Sequence, residues 1–110
     1  MKSHKKVVQI EGKVEWKCFR AKGGNWVAIC EPLKLTIQSE IWTTLMEDIG
    51  QTLNAILRDL MQSQGEFEQF FRDKGWRSIG PIPSSKPADI WFDIPCQIRL
   101  APSPAPPGAQ

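Results

Sequence analysis

Three cysteines, one histidine and twelve carboxylates are the residues of this 110-residue chain best suited to chemistry. Nucleophilic catalysis needs an activated Ser, Cys or Thr beside a base, usually His. The single histidine, His4, stands in a Lys-rich leader, which leaves a Cys–His dyad or a multi-histidine metal site without its second member. Cys18, Cys30 and Cys96 form no CxxC pair, and each sits in a strand-like run of apolar neighbours, where a thiol behaves as a small hydrophobe. They read as structural thiols of a reducing compartment rather than as disulfides or zinc ligands. Glu47 and Asp48 are consecutive, so on a helix they point to different parts of its surface. An acid/base pair would need carboxylates from separate elements to converge. Gly23-Gly24 lies in no Walker or dinucleotide spacing and reads as a turn. The expectation is a non-enzymatic protein, with no catalytic residue, metal or cofactor, that works by presenting a surface.

Two sets of polar residues could form that surface. From Met1 to Lys22 there are seven Lys/Arg against two acids, and from Gln38 to Asp73 there are seven acids against two arginines. A net charge of only +2 conceals this asymmetry, which points towards association as well as towards ordinary solvation. In the acidic block, Glu40, Glu47, Gln51 and Asn54 are the candidate partner-binding residues. In the basic block, Lys13, Lys17, Arg20 and Lys22, with Trp26 as a stacking surface, are the candidates for a nucleic-acid interface. The outward positions of that block alternate Glu11, Lys13, Glu15 and Lys17, and the pI near 8.5 lies below the strongly basic range of nucleic-acid modules.

The elements that must position these residues follow from periodicity. Val8, Ile10, Val14, Trp16 and Cys18 alternate with polar residues, the mark of a strand with one wet face, and Gly12 suggests a bend or bulge within it. Ala21–Asn25 is a hairpin turn. Trp26–Cys30 is apolar without interruption and reads as a central strand, and Leu33–Gln38 as a third. Ser39 or Glu40 then caps a helix over Ile41–Gln62, about 33 Å long at 1.5 Å per residue. Its apolar stripe is Trp42, Leu45, Met46, Ile49, Leu53, Ile56, Leu57 and Leu60; the opposite face carries Thr44, Glu47, Gln51, Asn54, Arg58 and Gln62. A second helix over Glu66–Lys74 stops at Gly75, with Trp76 packed beneath it. Gly80–Ala88 is a rigid connector, and Ile90–Leu100 a last strand that Pro95 marks as an edge or a bulge. The class is α+β, in the order β-β-β-α-α-β. Residues 1–6 form a flexible basic leader, 7–100 a single domain, and 101–110 a Pro-rich disordered tail. No stretch approaches the roughly 18 apolar residues of a membrane span, and the leader lacks the apolar core of a signal peptide. A cytoplasmic protein is expected.

The segment Trp26-Val-Ala-Ile-Cys-Glu-Pro-Leu-Lys-Leu-Thr-Ile-Gln38, followed by a short polar stretch and a Leu/Ile-rich helix, resembles the core of HicB-like antitoxins over about Val14–Met61. The resemblance implies three antiparallel strands, a helix across them and a further strand, the partial RNase-H-like arrangement of that family. It also implies binding to a small HicA-like ribonuclease toxin. Ser39, Ile41 and Thr44-Leu45 stand where the family has a glycine, a capping threonine and a Glu-Ala pair. The C-terminal DNA-binding domain usual in the family is replaced by a Pro-linked strand and tail, and the motif carries no catalytic residue. Pairing of open sheet edges into a homodimer or higher homo-oligomer is a further expectation.

Overall fold

The computed structural model describes residues 6–101; the leader before Lys6 and the tail after Ala101, with the flexibility and disorder expected of them, lie outside the described residues. The protein is α+β, with two helices and seven strands. The strands are β1 (Lys6–Glu11), β2 (Val14–Arg20), β3 (Trp26–Cys30), β4 (Leu35–Ser39), β5 (Arg77–Ile79), β6 (Ile90–Asp93) and β7 (Cys96–Leu100). The helices are α1 (Trp42–Leu60) and α2 (Gln64–Lys74), and a 3-10 turn covers Pro87–Asp89. The sequence reads as one domain over 7–100, whereas the contacts gather into two compact units. One holds the described residues up to Lys13 with Gly50–Pro95; the other holds Val14–Ile49 with the described residues from Cys96.

The first unit is built on a three-stranded sheet, order β5-β1-β6, with β5 antiparallel and β6 parallel to β1. Val8 and Ile10 of β1 and Ile90 and Phe92 of β6 are buried, as the period-two pattern requires. Leu53 and Leu57 of α1 and Phe67 and Phe71 of α2 complete the core, with Phe67 lying 4.6 Å from Phe71 and 6.0 Å from Phe92 between ring centroids. Helix α2 ends as expected at Gly75, whose φ of 71° closes a Schellman turn: Trp76 N–H donates to Phe71 O at 2.9 Å and Gly75 N–H to Arg72 O at 3.2 Å. That turn directs Trp76 edge-on to Phe70 and Phe71. The indole also lies against Gly12, where a Cβ would stand 2.5 Å from Trp76 Cδ1. The close approach, rather than an unusual φ, is what requires glycine there.

The second unit is built on a four-stranded sheet, order β4-β3-β2-β7. The antiparallel ribbon β2-β3-β4 matches the expected three strands, and β3 is interior, as its unbroken apolar run predicts. The β2–β3 hairpin closes through Ala21–Asn25, with Gly24 at φ 96° and Gly24 N–H donating to Ala21 O. The β3–β4 loop is closed by Lys34 in the left-handed region at φ 56°. Val14, Trp16, Cys18, Ala28 and Cys30 lie buried on one sheet face, with Leu45 and Ile49 of α1 also in the core. Strand β7 runs parallel to β2, pairing Val14 with Cys96, Trp16 with Ile98 and Cys18 with Leu100.

The strand count is seven rather than the expected four because both long alternating runs divide and the short β5 is added. Val8–Cys18 breaks at Gly12 into β1 and β2, and Ile90–Leu100 breaks at Ile94-Pro95 into β6 and β7; the pieces join different sheets. The proline cannot donate to a ladder, and a glycine weakens a strand interior, so each run is interrupted at that residue.

Candidate partner-binding surface

Helix α1 has exposed residues one turn apart within each unit: Thr43 and Glu47 in the second, and Gln51, Ala55 and Asp59 in the first. Its dry positions recur at the same spacing, Leu45, Ile49, Leu53 and Leu57. Of the four acidic-block candidates, Glu40, Glu47 and Gln51 are exposed. Ser39 prepares the helix entrance by accepting a hydrogen bond from Ile41 N–H at 3.3 Å through its Oγ. Ile41 is then left 59% exposed, a large apolar side chain in the same unit as Glu40 and Glu47.

Asn54 does not belong to that surface, which corrects the sequence reading. It is 1% exposed, the only polar residue in the buried set of the described residues. Its Nδ2 donates to Phe92 O and to Gly50 O, each at 3.0 Å, and its Oδ1 accepts from Phe92 N–H at 2.6 Å. One turn on, Arg58 donates from Nε to Ile90 O at 3.1 Å, with its guanidinium 5.7 Å from the Trp91 ring centroid. Strand β6 is an edge strand, with β1 on one side only. The amide of Asn54 and the guanidinium of Arg58 occupy its other side and satisfy main-chain groups that a further strand would otherwise meet. Gly50 completes the row Gly50–Asn54–Arg58; a Cβ there would touch the Trp91 ring at 3.7 Å. Asn54 and Arg58, placed on the wet face by their polarity, are edge-sealing groups.

The basic-block candidates are divided. Lys13 falls in the first unit, and Lys17, Arg20, Lys22 and Trp26 in the second. Lys13, Lys17, Arg20 and Lys22 are exposed. Lys17 Nζ lies 3.6 Å from Glu31 Oε1, and on the neighbouring edge Arg99 lies 3.4 Å from Glu15. A shallow groove of about 360 Å³, lined by Glu15, Lys17, Ile29, Glu31 and Pro32, is consequently of mixed sign. Trp26 is only half-available for stacking. Arg20 lies over its ring at 5.5 Å, and Trp42 meets it edge-on at 4.8 Å. Arg20 is held there by donating from Nε to Gly24 O at 3.2 Å.

A second shallow groove, in the first unit, was not singled out from sequence. Glu66, Gln69 and Asp73 of α2 border it, with Leu60 and Phe70 as its apolar lining, in a volume of about 360 Å³. Its acids belong to the acidic block, but the run of charge alone does not say which of seven carboxylates adjoin apolar surface.

Among the described residues no three His, Cys, Asp or Glu side chains come together as metal ligands. The Cys18 thiol, fully buried, is pushed up from its ordinary value of 9.0 by desolvation, which keeps it neutral and a poor nucleophile. No helix among the described residues is long and apolar enough to cross a membrane. No family model matches the chain, and no curated protein or solved structure shows a significant match to it.

Proposed function

We propose that this protein is a non-enzymatic, cytoplasmic protein-binding module of the HicB-like antitoxin type, which docks a small basic HicA-like ribonuclease toxin and occludes its RNA-binding surface. The observation that best supports the reading is Ile41, 59% exposed at the start of α1 in the same unit as the exposed acids Glu40 and Glu47. An apolar side chain accompanied by charge of one sign suits a protein partner: the apolar group contributes affinity on burial, and the acids orient a basic partner during encounter.

The test is capture of small basic proteins from the source cell by the wild type and by Glu40→Lys/Glu47→Lys, followed by calorimetry with the purified partner. The reading expects a basic protein of toxin size bound by the wild type and lost from the charge-reversed variant. Equal retention by both would remove this surface from the account.

Exposure of Lys17, Arg20 and Lys22 in one unit supports a second reading, a nucleic-acid-binding module. Phosphate contacts give affinity that falls steeply with salt. Filter binding of single- and double-stranded oligonucleotides across a salt series separates the two. Tight, strongly salt-dependent binding abolished by Lys17→Glu/Arg20→Glu would favour the second.

A further inference from the structure

Strand β4 is an edge of the four-stranded sheet, bonded to β3 on one side only, and the chain on both sides of it is described. Edge strands are ordinarily blunted by charge, proline or a bulge. Leu35-Thr-Ile-Gln-Ser39 carries neither charge nor proline, and its register with β3 runs from Cys30–Leu35 to Trp26–Ser39 without a slip. The edge of β6, by contrast, is occupied by Asn54 and Arg58.

The hydrogen-bond alternation of the sheet decides what the edge of β4 offers. Ala21 N–H donates to Asn25 O at 2.7 Å, so the bonded pairs of the β2–β3 ladder are Phe19–Val27 and Lys17–Ile29. Trp26, Ala28 and Cys30 therefore turn their N–H and C=O groups to β4, where they face Ser39, Ile37 and Leu35. The main-chain groups of Thr36 and Gln38 are left directed away from the sheet. Both side chains are exposed, as are those of Lys34 just before the strand and Glu40 just after it. Among the described residues the ion pairs involve neither Lys34 nor Glu40.

We propose that β4 pairs antiparallel with β4 of a second copy about a two-fold axis at Ile37, joining two four-stranded sheets into one. Thr36 meets Gln38 of the other copy, and Gln38 meets its Thr36, so residues with outward-directed N–H and C=O groups are opposed. On the other face Ile37 meets Ile37, and the half-buried Leu35 meets Ser39. In this register Lys34 of each copy stands opposite Glu40 of the other, which sets opposite charges against one another at both ends of the paired strands. Moving the axis to Thr36 or to Gln38 keeps the hydrogen bonds but opposes Lys34 to Gln38 or Glu40 to Thr36, so the charges select the register. An isologous contact of this kind closes at two copies and leaves the β4 edge covered. The pairing does not rest on the toxin-binding reading, with which it shares Glu40.

The experiment is sedimentation equilibrium of the full chain, paired with amide exchange by NMR, between about 5 and 500 μM, the range suited to a small interface of micromolar affinity. The expected result is a monomer–dimer equilibrium. Protection of the Thr36 and Gln38 amides should rise with concentration, while that of Ile37, bonded within its own sheet, stays constant. Lys34→Glu and, independently, Glu40→Lys should each shift dissociation at least tenfold towards monomer with an unchanged circular dichroism spectrum. The swap Lys34→Glu/Glu40→Lys opposes unlike charges again and should restore the dimer. The swap also separates the two readings, because it recovers the dimer without returning an acid to position 40 for a basic partner. A wild type monomeric throughout, single reversals without effect on the dimer, a swap as weak as either reversal, or constant Thr36 and Gln38 protection would overturn the proposal.

Discussion

Replacing Asn54 by alanine tests whether one amide seals the edge of β6. The side chain makes three hydrogen bonds, two of them to the N–H and C=O of Phe92, which is itself 1% exposed. Truncation leaves both Phe92 groups buried without these partners, at about 1–3 kcal/mol each. A loss of about 3–5 kcal/mol follows, large for a domain whose whole stability is on the order of 5–15 kcal/mol. Urea unfolding followed by tryptophan fluorescence, at constant m-value, measures it. Asn54→Asp sharpens the test. The carboxylate retains the acceptor for Phe92 N–H but, when ionised, faces two carbonyl oxygens in a buried site. Its folded-state pKa would be raised above the unfolded value, so stability is greatest below about pH 4 and declines as pH rises, by up to about 1.4 kcal/mol per unit until the folded group itself ionises. A cost below about 0.5 kcal/mol for the alanine variant, the range of ordinary surface substitutions, would refute the sealing role.

Gly12→Ala should cost about 2 kcal/mol by overpacking against Trp76, and Trp76→Leu in the same chain should recover part of it in a double-mutant cycle; strict additivity would contradict the contact. Lys34→Gly should raise stability by up to about 1 kcal/mol, because Lys34 has φ of 56°, and a lower urea midpoint would count against that. Cys18 should resist thiol reagents until the protein unfolds. Because burial raises its pKa in the folded state, the unfolded thiol ionises first: stability tied to Cys18 is intact below its ordinary value of 9.0 and falls as pH climbs beyond it. Urea midpoints between about pH 8 and 10 should show that fall, and Cys18→Ala should diminish it.

The fold was legible where sequence period and burial coincide. Alternation from Val8 to Cys18, the uninterrupted apolar run of β3 and the stop at Gly75 each have one local cause. The sharing of strands between two sheets was not legible, because buried positions stay even-numbered from Val8 through Cys18 and the parity carries no mark of a change of partner. Strand β5 is three residues long, too short for a period to show. Asn54 was misplaced because polarity stood in for exposure. The spacing Gly50–Asn54–Arg58 was the available signal: a small residue and two strong hydrogen-bonding side chains, one turn apart, beside the apolar stripe. Reading it required knowing that an edge strand lay there. In the candidate surface, Glu40, Glu47 and Gln51 were correctly placed on solvent-facing positions, but the exposure of Ile41 depends on where the helix axis begins, which propensity does not determine.

Calorimetric titration of a captured basic protein into wild-type and Glu40→Lys/Glu47→Lys protein is the sharpest check on the recognition proposed for the start of α1. At least a tenfold loss of affinity, about 1.4 kcal/mol, is expected with folding unchanged, and a smaller loss at high salt as screening weakens the charge term. Identical affinities for the two proteins, or a loss produced equally by Lys17→Glu/Arg20→Glu, would contradict it.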